Sequence, residues 1–142
     1  MQSNSAEKPN QTQEHLCPDD LFSLLDEKNK KMIMDSKHDA EIGYFVGKYL
    51  VEGANNFPQN TKIGLKFLED SMEKGSSDSL FYICQLLITK NNYVKNDFER
   101  AIKLYRSYYD KTDPRYNYIS GIIYRKKRNH KKAFKCFQRS LM

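Results

Sequence analysis

Residues 39–78 read DAEIGYFVGKYLVEGANNFPQNTKIGLKFLEDSMEKGSSD, and their pattern decides the fold. Asp39 stands where a helix N-cap belongs, because its carboxylate can accept the amide hydrogens that a first helical turn leaves unpaired. From there Ala40, Tyr44, Val46, Gly47 and Leu50 recur at helical spacing up to Gly53, a residue that ends helices by entering the left-handed region at low cost. Asn55, Asn56 and Pro58 mark a loop over residues 54–59. A second helix is predicted from Thr61 to Lys74, with Gly64, Leu68 and Ser71 on one face and Gly75 after its end.

The unit recurs. Gly64, Leu68 and Ser71 are matched by Ala101, Tyr105 and Tyr108, then by Ala133, Phe137 and Ser140. In each trio a small residue is followed four later by a large one, so the two share a helical face. The small residue lets a neighbouring helix approach, and the large one fills the groove beside it. The first helix recurs less strictly: the last copy keeps Tyr118, Ser120, Gly121 and Tyr124, and the middle one keeps only Ser79 and Ile83, with Leu86 where the others have glycine. The small anchors stand 37 and then 32 residues apart, the period of helix-pair repeats. No segment alternates as a strand would.

The run Ala40, Tyr44, Val46, Gly47, Gly53, Gln59, Asn60, Gly64, Leu68, Ser71 and Gly75 resembles a Sel1-like repeat, a relative of the tetratricopeptide repeats. Val94 to Asp97 followed by Ala101 and Tyr105 resembles that family's loop and second helix, and the last unit, with its short turn at Arg128 and Asn129, is similar to a plain tetratricopeptide unit. The resemblance implies an all-α fold, an α-solenoid of antiparallel helix pairs, with repeats over about residues 39–75, 78–110 and 113–142. In such modules the first helices line a concave face that holds partner peptides. Carried over by register, that face comprises Glu41 and Lys48 of the first unit and Arg115, Tyr118, Ile122 and Arg125 of the third. The ordinary reading of each is an exposed helix residue without a partner.

Upstream, residues 1–18 are expected to be a disordered polar tail, since they offer little to bury. Residues 19–37 are expected to form one helix, with Leu21, Phe22, Leu24, Leu25, Met32, Ile33 and Met34 covering the open end of the first repeat; a remnant of a further repeat is the competing reading. The chain length suits one domain with one continuous core. The sequence stops at Met142 without a polar closing helix, which leads to an expectation of end-to-end self-association or of a longer array.

Charge is unevenly placed. The net charge is +6, yet all 18 acidic residues lie at or before Asp113. Beyond it stand nine basic residues and no acid. The run Arg125, Lys126, Lys127, Arg128, Lys131 and Lys132 has two readings: a contact for RNA, an acidic partner or nuclear import, or a solvated turn whose cations suit a helix C-terminus. Cys17, Cys84 and Cys136 show no paired spacing, and the two within apolar helix patterns read as small core residues of a protein from the reducing cytosol. No apolar run reaches membrane-spanning length.

Reactive chemistry finds little footing. Gly43-x3-Gly47-Lys48 lacks the spacing and the hydroxyl residue of a phosphate loop and lies inside a helix pattern. His15, His38 and His130 share no metal-ligand spacing with a cysteine or with one another. The expectation is therefore a non-catalytic module for a protein or peptide partner, without cofactor or metal, with RNA or acidic-ligand binding as the alternative. A hydrolase of the kind found among exported relatives of the resembled family is disfavoured, because those relatives carry signal sequences and disulfides.

Overall fold

The computed structural model describes residues 13–141. Among them stand eight α-helices and no strand: α1 (Pro18–Ser23), α2 (Glu27–Ser36), α3 (Ala40–Glu52), α4 (Thr61–Glu73), α5 (Ser77–Ile88), α6 (Phe98–Arg106), α7 (Pro114–Lys126) and α8 (His130–Ser140). The all-α class read from the sequence is therefore correct. The chain groups into two compact units, one up to Ser79 and one from Leu80.

In the first unit, α3 and α4 pack antiparallel at close range. A Cβ on Gly47 would lie 2.9 Å from the Gly64 carbonyl oxygen and 2.7 Å from Leu68 Cγ; one on Gly64 would lie 2.8 Å from the Gly47 oxygen. Further along, Gly43 faces Ser71, whose hydroxyl donates to the Ala40 carbonyl at 2.5 Å. The small–large–small face of α4 thus meets a row of glycines on α3. Around it Val46, Leu50, Phe57 and Leu68 are fully buried, each worth about 1.5–3 kcal/mol of hydrophobic stabilisation. Gly53 ends α3 at φ 68°, and Asn55 and Asn56 carry the loop through the left-handed region that Asn tolerates. Phe57 then tucks back onto Tyr49, with ring centroids 6.0 Å apart.

The single helix expected over residues 19–37 is two. Asp26 breaks it: its side chain accepts from the Asn29 amide at 2.8 Å and caps α2. Leu21 and Leu25 enter the core of the first unit, while Leu24 is exposed. The expected tail over residues 1–18 is also too long. Residues 1–12 lie outside the described ones, but Gln13 and Glu14 are bonded to Gln59, Asn60 and Thr61, and Leu16 packs on the core.

In the second unit, Ala101 and Ala133 are buried, as the repeat register requires. The ring of Phe137 occupies the space a Cβ on Gly121 would need, reaching to 2.5 Å from it, so α7 and α8 also pack through a glycine and a large residue. Helix α6 is shorter than expected. It ends at Arg106, and Tyr108 lies beyond it, still buried, with its ring edge-on to Phe81 at 4.8 Å.

One backbone bond recurs in both units. The Asn60 amide donates to the Leu50 carbonyl at 2.7 Å, and the Asp97 amide donates to the Leu87 carbonyl at 2.8 Å. Each donor is the N-cap of a second helix, its side chain accepts from the third amide on, and the small anchor follows four residues later. This places Cys84, not Leu86, at the position of Gly47, and the Cys84 thiol indeed lies 3.8 Å from the Ala101 carbonyl. The third connection is shorter. There the Asn129 amide donates to the Tyr124 carbonyl at 2.9 Å, with Arg128 left-handed at φ 60°.

Candidate partner-binding surfaces

Glu41 and Lys48 lie on α3 in the first unit, and Arg115, Tyr118, Ile122 and Arg125 lie on α7 in the second. Ile122 is a correction. It is only 6% exposed, because α7 buries a broad arc from Ile119 to Ile123, and it offers nothing to a partner. Tyr118, 44% exposed, and Arg125 are brought together by Phe137: the Tyr118 ring sits 6.0 Å and the Arg125 guanidinium 5.8 Å from that ring's centroid. Glu41 is exposed beside Ser76 and Asp78; partial burial first, then the bond with Asp78, push its carboxyl above the usual range.

Arg115 is engaged within the second unit. Its Nη2 bonds Asp113 Oδ2 at 2.9 Å and its Nε bonds Oδ1 at 3.2 Å, while the guanidinium lies over the Phe81 ring at 4.7 Å. Asp113 also accepts from the Arg115 amide at 2.8 Å, capping α7, and from the Tyr108 hydroxyl at 3.2 Å. The Arg115 hydrogen bond outweighs burial and holds the Asp113 carboxyl below its ordinary value. Arg115 thus braces the start of α7.

All six residues of the basic run are exposed at the turn between α7 and α8. Three of them rest on aromatic faces: Arg125 on Phe137, Lys126 over Phe98 at 5.0 Å, and Lys132 over Tyr124 at 5.5 Å. Such pairs are worth about 0.5–1 kcal/mol at exposed sites and leave the outer side of each cation in water. Lys127, Arg128 and Lys131 are exposed as well, and the exposed ring of Phe134 lies on the same helix as Lys131.

A further cluster was not foreseen. The segment of residues 13–16 lies against the first turn of α4, where Asn60 and Thr61 bond to it. Composition gave no sign of this, since Glu14 and Thr61 are 47 residues apart. Among the described residues, no group of three or more His, Cys, Asp or Glu could hold a metal ion. No described helix is long and apolar enough to cross a membrane.

No protein-family model, no curated protein and no solved structure matches this chain.

Proposed function

We propose that the chain is a non-catalytic interaction module, an α-solenoid of helix pairs akin to Sel1-like and tetratricopeptide repeats, acting in the cytoplasm or nucleus. Its first helices hold an extended peptide or another protein. The observation that supports this reading is the recurrent joint, in which the N-cap amide of a second helix bonds the carbonyl ten residues back and a small anchor follows. Repeats built this way stack into extended surfaces suited to long, thin ligands. Exposed Glu41 and Arg125, half-buried Lys48 and the partly exposed Tyr118 ring supply charge and an aromatic platform for such a partner.

Affinity capture from cell extract with the whole chain, compared across Lys48→Glu, Tyr118→Ala and Arg125→Glu, tests the reading. Loss of the same proteins in these variants supports the reading. Unchanged recovery of every partner in all three removes these residues as partner contacts. Arg115 is unsuited to this test because its substitution would loosen α7.

The second reading is an acidic ligand or RNA at the α7–α8 turn, favoured by six exposed cations in an acid-free segment. Binding there would weaken steeply with salt, by roughly one log unit per phosphate contact for each tenfold rise. Absence of binding to single-stranded or hairpin RNA at low salt excludes it for RNA.

A further inference from the structure

We infer that the start of α4 is a recognition site for an extended peptide of the pattern acidic–any–leucine, which the chain fills with its own residues 13–16 and which a partner segment of the same pattern takes by competition. The site has three parts. The Gln59 carbonyl accepts from the Gln13 amide at 2.7 Å, and the Asn60 side-chain amide donates to the Gln13 carbonyl at 2.7 Å, so the main chain of one ligand residue is held on both sides. The next residue, Glu14, places both carboxylate oxygens on the Thr61 amide, at 2.9 and 2.8 Å, where α4 leaves that donor unpaired. Two residues on, Leu16 packs on the core of the first unit.

Asn60 makes this a built site. It is fully buried, its Oδ1 accepts from the Ile63 amide at 3.0 Å, and its Nδ2 therefore points out of the helix toward the segment. Without an incoming carbonyl, that buried donor loses the acceptor Gln13 now supplies. Main-chain pairing plus one charged and one apolar side chain is how extended peptides are read elsewhere, and it asks for a short pattern only. The charges agree, since Lys62 and Lys66 line a cavity of about 270 Å³ together with Glu14, His15, Leu16, Cys17, Pro18 and Ile63. The inference stands apart from the partner contacts proposed above, and either can fail alone.

The test uses the whole chain and a labelled synthetic peptide NQTQEHL, the sequence of residues 10–16. Glu14→Gln in the chain removes the internal competitor's charge. It is expected to raise peptide affinity about tenfold over the wild type, the effect of one charge-assisted bond. Adding Thr61→Pro should abolish the gain. Proline removes the amide that the carboxylate needs but suits the first position of a helix, and Asn60 already has the extended conformation that precedes proline. A peptide with glutamine in place of its glutamate should bind about tenfold more weakly. Amide exchange at Thr61 in the unmodified chain, slowed by added peptide, reads the same competition without any substitution. Absence of binding to Glu14→Gln, or binding that Thr61→Pro leaves intact, overturns the proposal. Dimerisation of the Glu14→Gln chain that excludes the peptide also overturns it, naming a second copy as the occupant.

Discussion

Gly47 and Gly64 exclude a side chain from each other. A Cβ on either would lie within 3 Å of the other's carbonyl oxygen, and both carbonyls are fixed in helical hydrogen bonds. Gly47→Ala and Gly64→Ala are each expected to destabilise the protein by about 1–3 kcal/mol, despite the better helix propensity of alanine. Gly121→Ala should cost less. What it meets is the half-buried ring of Phe137, which can swing aside, whereas backbone cannot. Urea midpoints of the three variants would rank them; equal losses would contradict the distinction between backbone and side-chain obstruction.

Arg128 occupies a position that favours glycine. Its φ is 60°, and the bond from the Asn129 amide to the Tyr124 carbonyl closes the turn around it. Arg128→Gly is expected to raise stability by about 0.5–1 kcal/mol, and Gly53→Ala, at φ 68°, to lower it by about 1 kcal/mol. Thermal unfolding checks both. Because Arg128→Gly also removes a charge from the basic run, a more stable variant that binds RNA less well would tie the loss to charge rather than folding.

Helix limits and anchors were legible in the sequence because they depend on local chemistry. Asp39 caps the helix it precedes, and Gly64, Ala101 and Ala133 are all buried. What failed depended on choices that one-dimensional pattern leaves open. In the middle unit the run Ile83-Cys84-Gln85-Leu86-Leu87-Ile88 is apolar at all but one position, so it shows no period, and Leu86 was set opposite the anchor where Cys84 belongs. Ile122 was assigned to the surface by register alone, although α7 buries five consecutive residues around it. The acid at Asp26 reads as mid-helix charge until the Asn29 amide is seen to need it. The site at α4 rests on contacts between distant segments, which spacing cannot show.

The Asp113 network predicts an acid limb. In the folded chain its carboxyl is held below its ordinary 3.8, chiefly by the Arg115 hydrogen bond. A lowered folded value means that the stabilisation is complete above the unfolded value and is lost as pH falls through the folded one. Stability should therefore drop below about pH 4. Asp113→Asn keeps an oxygen to cap α7 but has no charge to lose, so its stability should fall less over that window. The difference is modest because Arg115 is 42% exposed on its side chain and partly screened. Parallel acid limbs in urea titrations of the two proteins would contradict the assignment.

Cys84 tests the repeat itself. Burial pushes its thiol up to about 12, so at neutral pH it is a neutral small side chain with no thiolate to react. Cys136 is also buried, and Cys17 is exposed. A thiol reagent should label Cys17 alone in the folded protein and all three after unfolding. The structural equivalence with Gly47 makes a sharper demand. If Cys84 faces the Ala101 anchor as Gly47 faces Gly64, a smaller residue fits and a larger one does not. Cys84→Ala should then change stability by no more than about 1 kcal/mol, while Cys84→Leu should cost about 1–3 kcal/mol by forcing the helices apart. The reverse order would mean that Cys84 fills a space of its own and that the middle unit is packed by another register.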